Sequence, residues 1–180
     1  MKQIKRIIGL TFLIVMSITT LVLGNDINSE NYKYECRIGP IGVRDTFDMS
    51  QLNTLFGSMT SPVTQQRLGV NNSIRLMDLN FGIARVCVLN DYIATLTVKS
   101  NYAEDGEALG TPRGIVVGHD LDTVFRLYGT PLRTWNSKNN SWVGHDLIMY
   151  SYGSYEYGLT FGVNPSTNRV ETIGIFIPTC

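Results

Sequence analysis

The chain of 180 residues carries 15 basic and 15 acidic side chains and so has no formal net charge. This balance excludes a strong global field of the kind that holds nucleic acid or an anionic membrane surface, which needs clustered positive charge. Hydrophobic residues at 43% and charged residues at 17% exclude a disordered polyelectrolyte and fit one packed domain or two very small ones.

Residues 1–24 read as a signal peptide. Lys2, Lys5 and Arg6 open the chain, an uncharged run follows from Ile7 to Gly24, and Val22 and Gly24 suit a cleavage site. The competing reading is a retained anchor, because the run approaches the ~20 residues that cross a bilayer. Threonine, serine and glycine dilute the run, and the polar stretch NDINSEN follows, so cleavage is expected. Asn25 stands where a lipidated chain would carry cysteine. The mature chain is then exported, periplasmic or extracellular, without a stable membrane anchor. Residues 25–37 form a short N-terminal segment.

A first α+β unit is expected over 38–100. Met49, Leu52 and Phe56 line one face of a short helix, with Asp48 at its N-cap and Gly57 at its stop. Three strand-like runs follow: SIRLMDL (73–79), IARVCVL (83–89) and YIATLTV (92–98). Residues 101–112 lack periodicity, carry Gly106, Gly110 and Pro112, and read as a linker.

The second unit, 113–180, repeats the device. Asp120 caps, Gly129 stops, Pro131 prevents continuation, and Leu121, Val124, Phe125 and Tyr128 hold the spacing of a one-sided helix. DLIMYSY (146–152), YEYGLTFGV (155–163) and RVETIGIFI (169–177) then follow as strand-like runs. At a shift of 72 residues, Gly42/Gly114, Asp48/Asp120, Leu55/Leu127 and Gly57/Gly129 are identical, which suggests an internal duplication. The expected fold is therefore α+β. Two tandem lobes each place a short helix or helix pair on a small antiparallel meander, and their sheets share a core or run continuously.

The stretch TPRGIVVGHDLDTVFRLYGTP (111–131) resembles the glycine-bounded helix of exported outer-membrane assembly lipoproteins of the SmpA/OmlA (BamE) type. The tandem layout is similar to the β-lactamase-inhibitor-protein type, in which two such lobes pack their helices on one sheet face. The resemblance covers about 110–180 well and 38–100 weakly. It implies a non-catalytic protein-binding module of the cell envelope or secretome, although the lipidated cysteine of the first family is missing.

Three cysteines remain after export: Cys36, Cys87 and Cys180. Cys87 lies in an apolar run and reads as a small buried hydrophobe, which leaves Cys36 with Cys180 as the expected bridge.

Candidate binding residues are aromatic. In YSYGSYEY (150–157), a two-residue turn at Gly153-Ser154 would pair Tyr152 with Tyr155 and Tyr150 with Tyr157, all on one face. A short helix cannot cover a strand of equal residue count, which leaves room for the tip to project as a contact surface. The competing reading, which ordinary burial tendencies favour, is an aromatic core. TPLRTWNSKNNSWVG (130–144) reads as a loop or ribbon in which Trp135, Trp142 and Arg133 have a hot-spot composition, the alternative being tryptophans folded back on the core.

The only two histidines, His119 and His145, each sit in a V-G-H-D-L string, 26 residues apart. Two histidines at that spacing are too few for a recognisable zinc site, and no phosphate loop or nucleophile elbow is present. No cofactor, metal or catalytic residue is expected. The expected function is binding to another protein. The alternative is a small secreted hydrolase or metal- or ligand-binding protein built on His119 and His145.

Overall fold

A computed structural model describes residues 34–61, 64–67, 73–99, 109–154 and 157–177. A two-stranded ribbon opens the fold, β1 (Arg37–Ile38) against β2 (Ile41–Gly42), and leads into helix α1 (Met49–Phe56). Four strands follow: β3 (Thr64–Arg67), β4 (Ser73–Leu79), β5 (Ala84–Leu89) and β6 (Tyr92–Val98). Helix α2 (Leu121–Tyr128) then precedes β7 (Arg133–Asn140), β8 (His145–Gly153), β9 (Gly158–Asn164) and β10 (Arg169–Phe176).

Eight of these strands form one antiparallel sheet in the order β3-β4-β5-β6-β10-β9-β8-β7. The expectation of two α+β lobes is thereby corrected: the described residues are mostly β, with two α-helices of eight residues each among them. The joint lies at the centre, where Ile173, Gly174, Ile175 and Phe176 pair with Val98, Thr97, Leu96 and Thr95. Ile173, Ile175, Leu96 and Val98 are fully buried, so separating the halves would bare apolar surface and unpaired backbone together.

Alternation assigns the faces. One row across the sheet reads Thr134, Tyr150, Phe161, Ile173, Val98, Ala84 and Leu79, and both helices cover this side. The next row, on the opposite side, reads Arg133, Ser151, Thr160, Gly174, Thr97, Arg85 and Asp78. Leu52 and Phe56 of α1, Val124 and Tyr128 of α2, and Ile38 and Ile41 of the ribbon share one core with the first side. Leu109 and Ile115 join that core, so the end of the expected linker is packed structure. Residues 101–108 and the expected signal peptide lie outside the described residues.

Both helices are bounded by side-chain chemistry. Asp48 Oδ1 accepts from Ser50 N (2.8 Å), and Gly57, at φ 81°, donates its N–H to Asn53 O. Asp120 Oδ1 accepts from Thr123 N (2.7 Å), which holds its carboxyl below the usual range, and Gly129 closes α2 at φ 72°. Replacing Asp48 by alanine leaves those helix-end N–H groups without their acceptor. The expected loss is about 1 kcal/mol, read as a lower denaturation midpoint, with most of it restored by Asp48→Ser.

Candidate functional site

The aromatic hairpin is the first region that sequence singles out. Its closing pair is Gly153 with Gly158, and Tyr152 faces Leu159 while Tyr150 faces Phe161. The expected two-residue turn at Gly153-Ser154 is therefore corrected to a connection over 154–157, closed by Ser154 N donating to Tyr157 O (2.8 Å). The pairing shifts by an even number of residues, so the face that the tyrosines occupy is unchanged.

That face is the core. Tyr152 is 3% exposed, its ring packs on Tyr128 and Phe161, and its hydroxyl donates to Gly129 O (3.2 Å). Burial pushes the Tyr152 and Tyr128 hydroxyls well above the usual tyrosine range. The helix covers the strand as far as Tyr152 because α2 ends beside it, at Gly129. Tyr150 is half-buried, edge-on to Phe125 with centroids 5.5 Å apart. Tyr157 is half-buried beneath the Arg44 guanidinium, 5.0 Å from its ring centre. Tyr155 lies outside the described residues.

The tryptophan segment divides. Trp135 sits on β7 opposite Met149, on the helix-free side, and remains 44% exposed. Arg133 is exposed beside it, and Leu132 just before the strand is 55% exposed. Every residue of β7 keeps solvent contact, and β7 ends the sheet among the described residues. RTWNSKNN carries two cations and no acidic residue, with a register break between Ser137 and Asn140. Its polar composition hides it from hydropathy patterning, which leaves a loop and a ribbon equally open in the sequence.

Trp142 lies at the other end of β7, in the turn to β8, and folds over the helix-free side. Its ring lies between Arg85 (5.4 Å) and Lys99 (5.5 Å), whose ammonium donates to Trp142 O (3.2 Å). A Cβ on Gly82 would press on Trp142 Nε1 at 3.2 Å, so the indole stands directly on the β4–β5 turn. Arg85 also binds Asp78 through two nitrogens (2.7 and 3.1 Å), and this guanidinium holds the Asp78 carboxyl below its usual range. Trp135 and Trp142 are thus separate features rather than one patch.

His145 begins β8. Its Nε2 lies 2.7 Å from Glu171 Oε2, and Asn164 Nδ2 donates to Glu171 Oε1 (2.7 Å). His119 is held by backbone pairing, with its carbonyl accepting from Val170 N (2.8 Å), while its Nδ1 is buried without a partner among the described residues. No group of three or more His, Cys, Asp or Glu able to hold a metal is present among the described residues. Cys36 is buried and forms no disulfide among the described residues, and burial with Glu35 nearby pushes its thiol up. Cys180, its expected partner, lies outside them.

Sequence reasoning missed one feature. A cleft of about 240 Å³ is lined by Lys99, Val117, Trp142, Val143 and Glu171. Val117 and Val143 each precede a Gly-His pair, so the repeated string supplies two walls of one cleft. The repetition itself was the available clue.

The chain matches no protein-family profile and no curated protein. It is similar to YjgB, a DUF4309 family protein from Bacillus subtilis, at 12% identity and a TM-score of 0.45, over 82% of this chain and 91% of that one. It is similar to a cysteine-rich secretory protein from Staphylococcus aureus at 10% identity and a TM-score of 0.45, over 84% of this chain and 49% of that one. An extracellular SCP-domain protein from Bacillus anthracis aligns at 11% identity and a TM-score of 0.39, over 73% of this chain and 43% of that one. The chain thus spans under half the length of the last two. The expected resemblance to BamE-type lipoproteins and to the β-lactamase-inhibitor type is corrected: neither was found among the matching structures, and the single eight-stranded sheet replaces the expected lobes.

Proposed function

We propose that the chain is an exported, non-catalytic protein-binding module, secreted or periplasmic, that acts as an interaction, inhibitor or envelope-assembly component and grips its partner at β7. The basic start and apolar run of residues 1–24 support export, and no described helix is long and apolar enough to cross a membrane. The observation that carries the binding reading is β7 itself. Among the described residues it is an edge strand, solvent-exposed along its length, with Trp135, Arg133 and Leu132 exposed at its start.

An edge strand offers main-chain donors and acceptors to an added strand, and neighbouring side chains supply selectivity. Tryptophan and arginine are the residues most often found at the energetic centre of such contacts. Lys138 and the register break limit indiscriminate strand pairing. The buried Tyr152 contributes by fixing β8 beside β7 rather than by touching a partner.

The test is capture from the envelope fraction and culture fluid of the native host. Trp135→Ala is expected to weaken retention of the captured partner by about 30-fold, the effect of losing a contact worth about 2 kcal/mol. The double variant His119→Ala/His145→Ala is expected to retain it. Loss with the histidine pair and retention with Trp135→Ala would reverse the assignment.

A further inference from the structure

The cleft between the two V-G-H strings has an unusual charge arrangement. Lys99 and Glu171 both line it, and among the described residues the ion pair formed by Glu171 is with His145. Each is held by its own partners. Lys99 donates one of its three N–H groups to Trp142 O, and Glu171 accepts from Asn164 and meets His145. Among the described residues Lys99 also stands 5.5 Å from the Trp142 ring centre and acts electrostatically on Asp78, and the Glu171 carboxylate keeps lone pairs beyond its two partners. Val117, Val143 and Trp142 complete the lining.

We propose that this cleft binds a free α-amino acid with a small apolar side chain. The ligand carboxylate meets Lys99, the ligand ammonium meets Glu171, and the side chain lies against the valines and Trp142. The dimensions agree, since about 240 Å³ is below the ~300–1,000 Å³ of sites for drug-sized ligands. A lone anion would meet the Glu171 charge and a lone cation the Lys99 charge, whereas a zwitterion satisfies both. His145 and Asn164 act as positioning residues that fix the Glu171 carboxylate from behind. The site is distinct from the β7 surface and stands whether or not that surface binds protein.

The experiment is calorimetric titration of the full chain with L-alanine, with acetate and methylammonium as single-charge probes. In parallel, the two tryptophan indole N–H resonances are followed. L-alanine is expected to bind saturably and to move the resonance that is missing from Trp142→Phe. Acetate and methylammonium are expected to bind at least tenfold more weakly. Lys99→Met and Glu171→Gln, confirmed as folded by circular dichroism, are expected to lose tenfold or more in affinity. Absence of heat and of any resonance shift up to tens of millimolar L-alanine overturns the proposal. So does equal binding of acetate, or binding that survives both charge variants.

Discussion

Phe161→Ala is expected to cost about 3–5 kcal/mol, the range for removing a fully buried phenylalanine from a packed core. Phe161 has no exposed surface and lies on β9 between Ile173 and Tyr150, near the middle of the helix-covered side. Its ring lies 5.3 Å from that of Tyr128 and 5.8 Å from that of Tyr152. Truncation therefore leaves a void that α2 and β8 both border. Neither can close it without breaking pairing or moving the cap at Gly129. Urea unfolding of both proteins measures the loss as a shift in midpoint at unchanged slope. Phe161→Leu is expected to cost markedly less, because it refills most of the volume. A loss below about 1 kcal/mol for the alanine variant would contradict the placement of Phe161 in a shared core.

The second large effect is expected on the other side of the sheet. Gly162 lies on the helix-free face, where open solvent would make a larger residue harmless or beneficial. The surroundings are closed instead. A Cβ there would overlap Thr172 Oγ1 and press on Leu147 Cδ1 and Met149 Sδ, at 3.0 and 3.1 Å. Thr172 and Leu147 are themselves buried and cannot swing away. Replacing a mid-strand glycine by valine gains roughly 0.5–1 kcal/mol of backbone propensity, whereas forcing a methylene into a filled site costs roughly 1–3 kcal/mol. Overpacking wins, and Gly162→Val is expected to lower stability by about 1–2 kcal/mol in the same urea assay. Stabilisation by this variant would show that the helix-free face is open at β9.

Much of the fold is legible in the sequence where one physical pattern repeats without competition. Asp48 and Gly57, like Asp120 and Gly129, mark helix ends because a carboxylate and a left-handed glycine satisfy backbone groups that nothing else can reach. SIRLMDL, IARVCVL and YIATLTV are rich in β-branched and other apolar residues over enough positions to declare strands. The failures have equally specific causes. β1 and β2 have two residues each, too few for any period to register. RTWNSKNN is polar on both sides because an edge strand covers nothing, so the composition that reads as a loop is that of an exposed strand. The joint between β6 and β10 depends on contacts 75 residues apart or more, such as Val98 with Ile173, and local patterning cannot choose between two sheets and one.

The candidate sites separate on the same grounds. Tyrosines at period two declare a common face but not whether a helix covers it, and Tyr152 turned inward because α2 ends directly over it. Two histidines in identical strings invite a shared metal site, yet His145 is engaged by Glu171 and His119 by the backbone of Val170. What the strings share is the cleft that their valines line, a feature set by the fold rather than by the histidines.

The claim that β7 is the contact surface is tested most directly by photo-crosslinking. Benzoylphenylalanine placed at Trp135 is irradiated in the native culture fluid or envelope fraction, with the same group placed at exposed Asp122 of α2 as the control. The expected result is a discrete protein adduct at position 135 that is absent at position 122. No adduct at 135, or equal adducts at both positions, would contradict it.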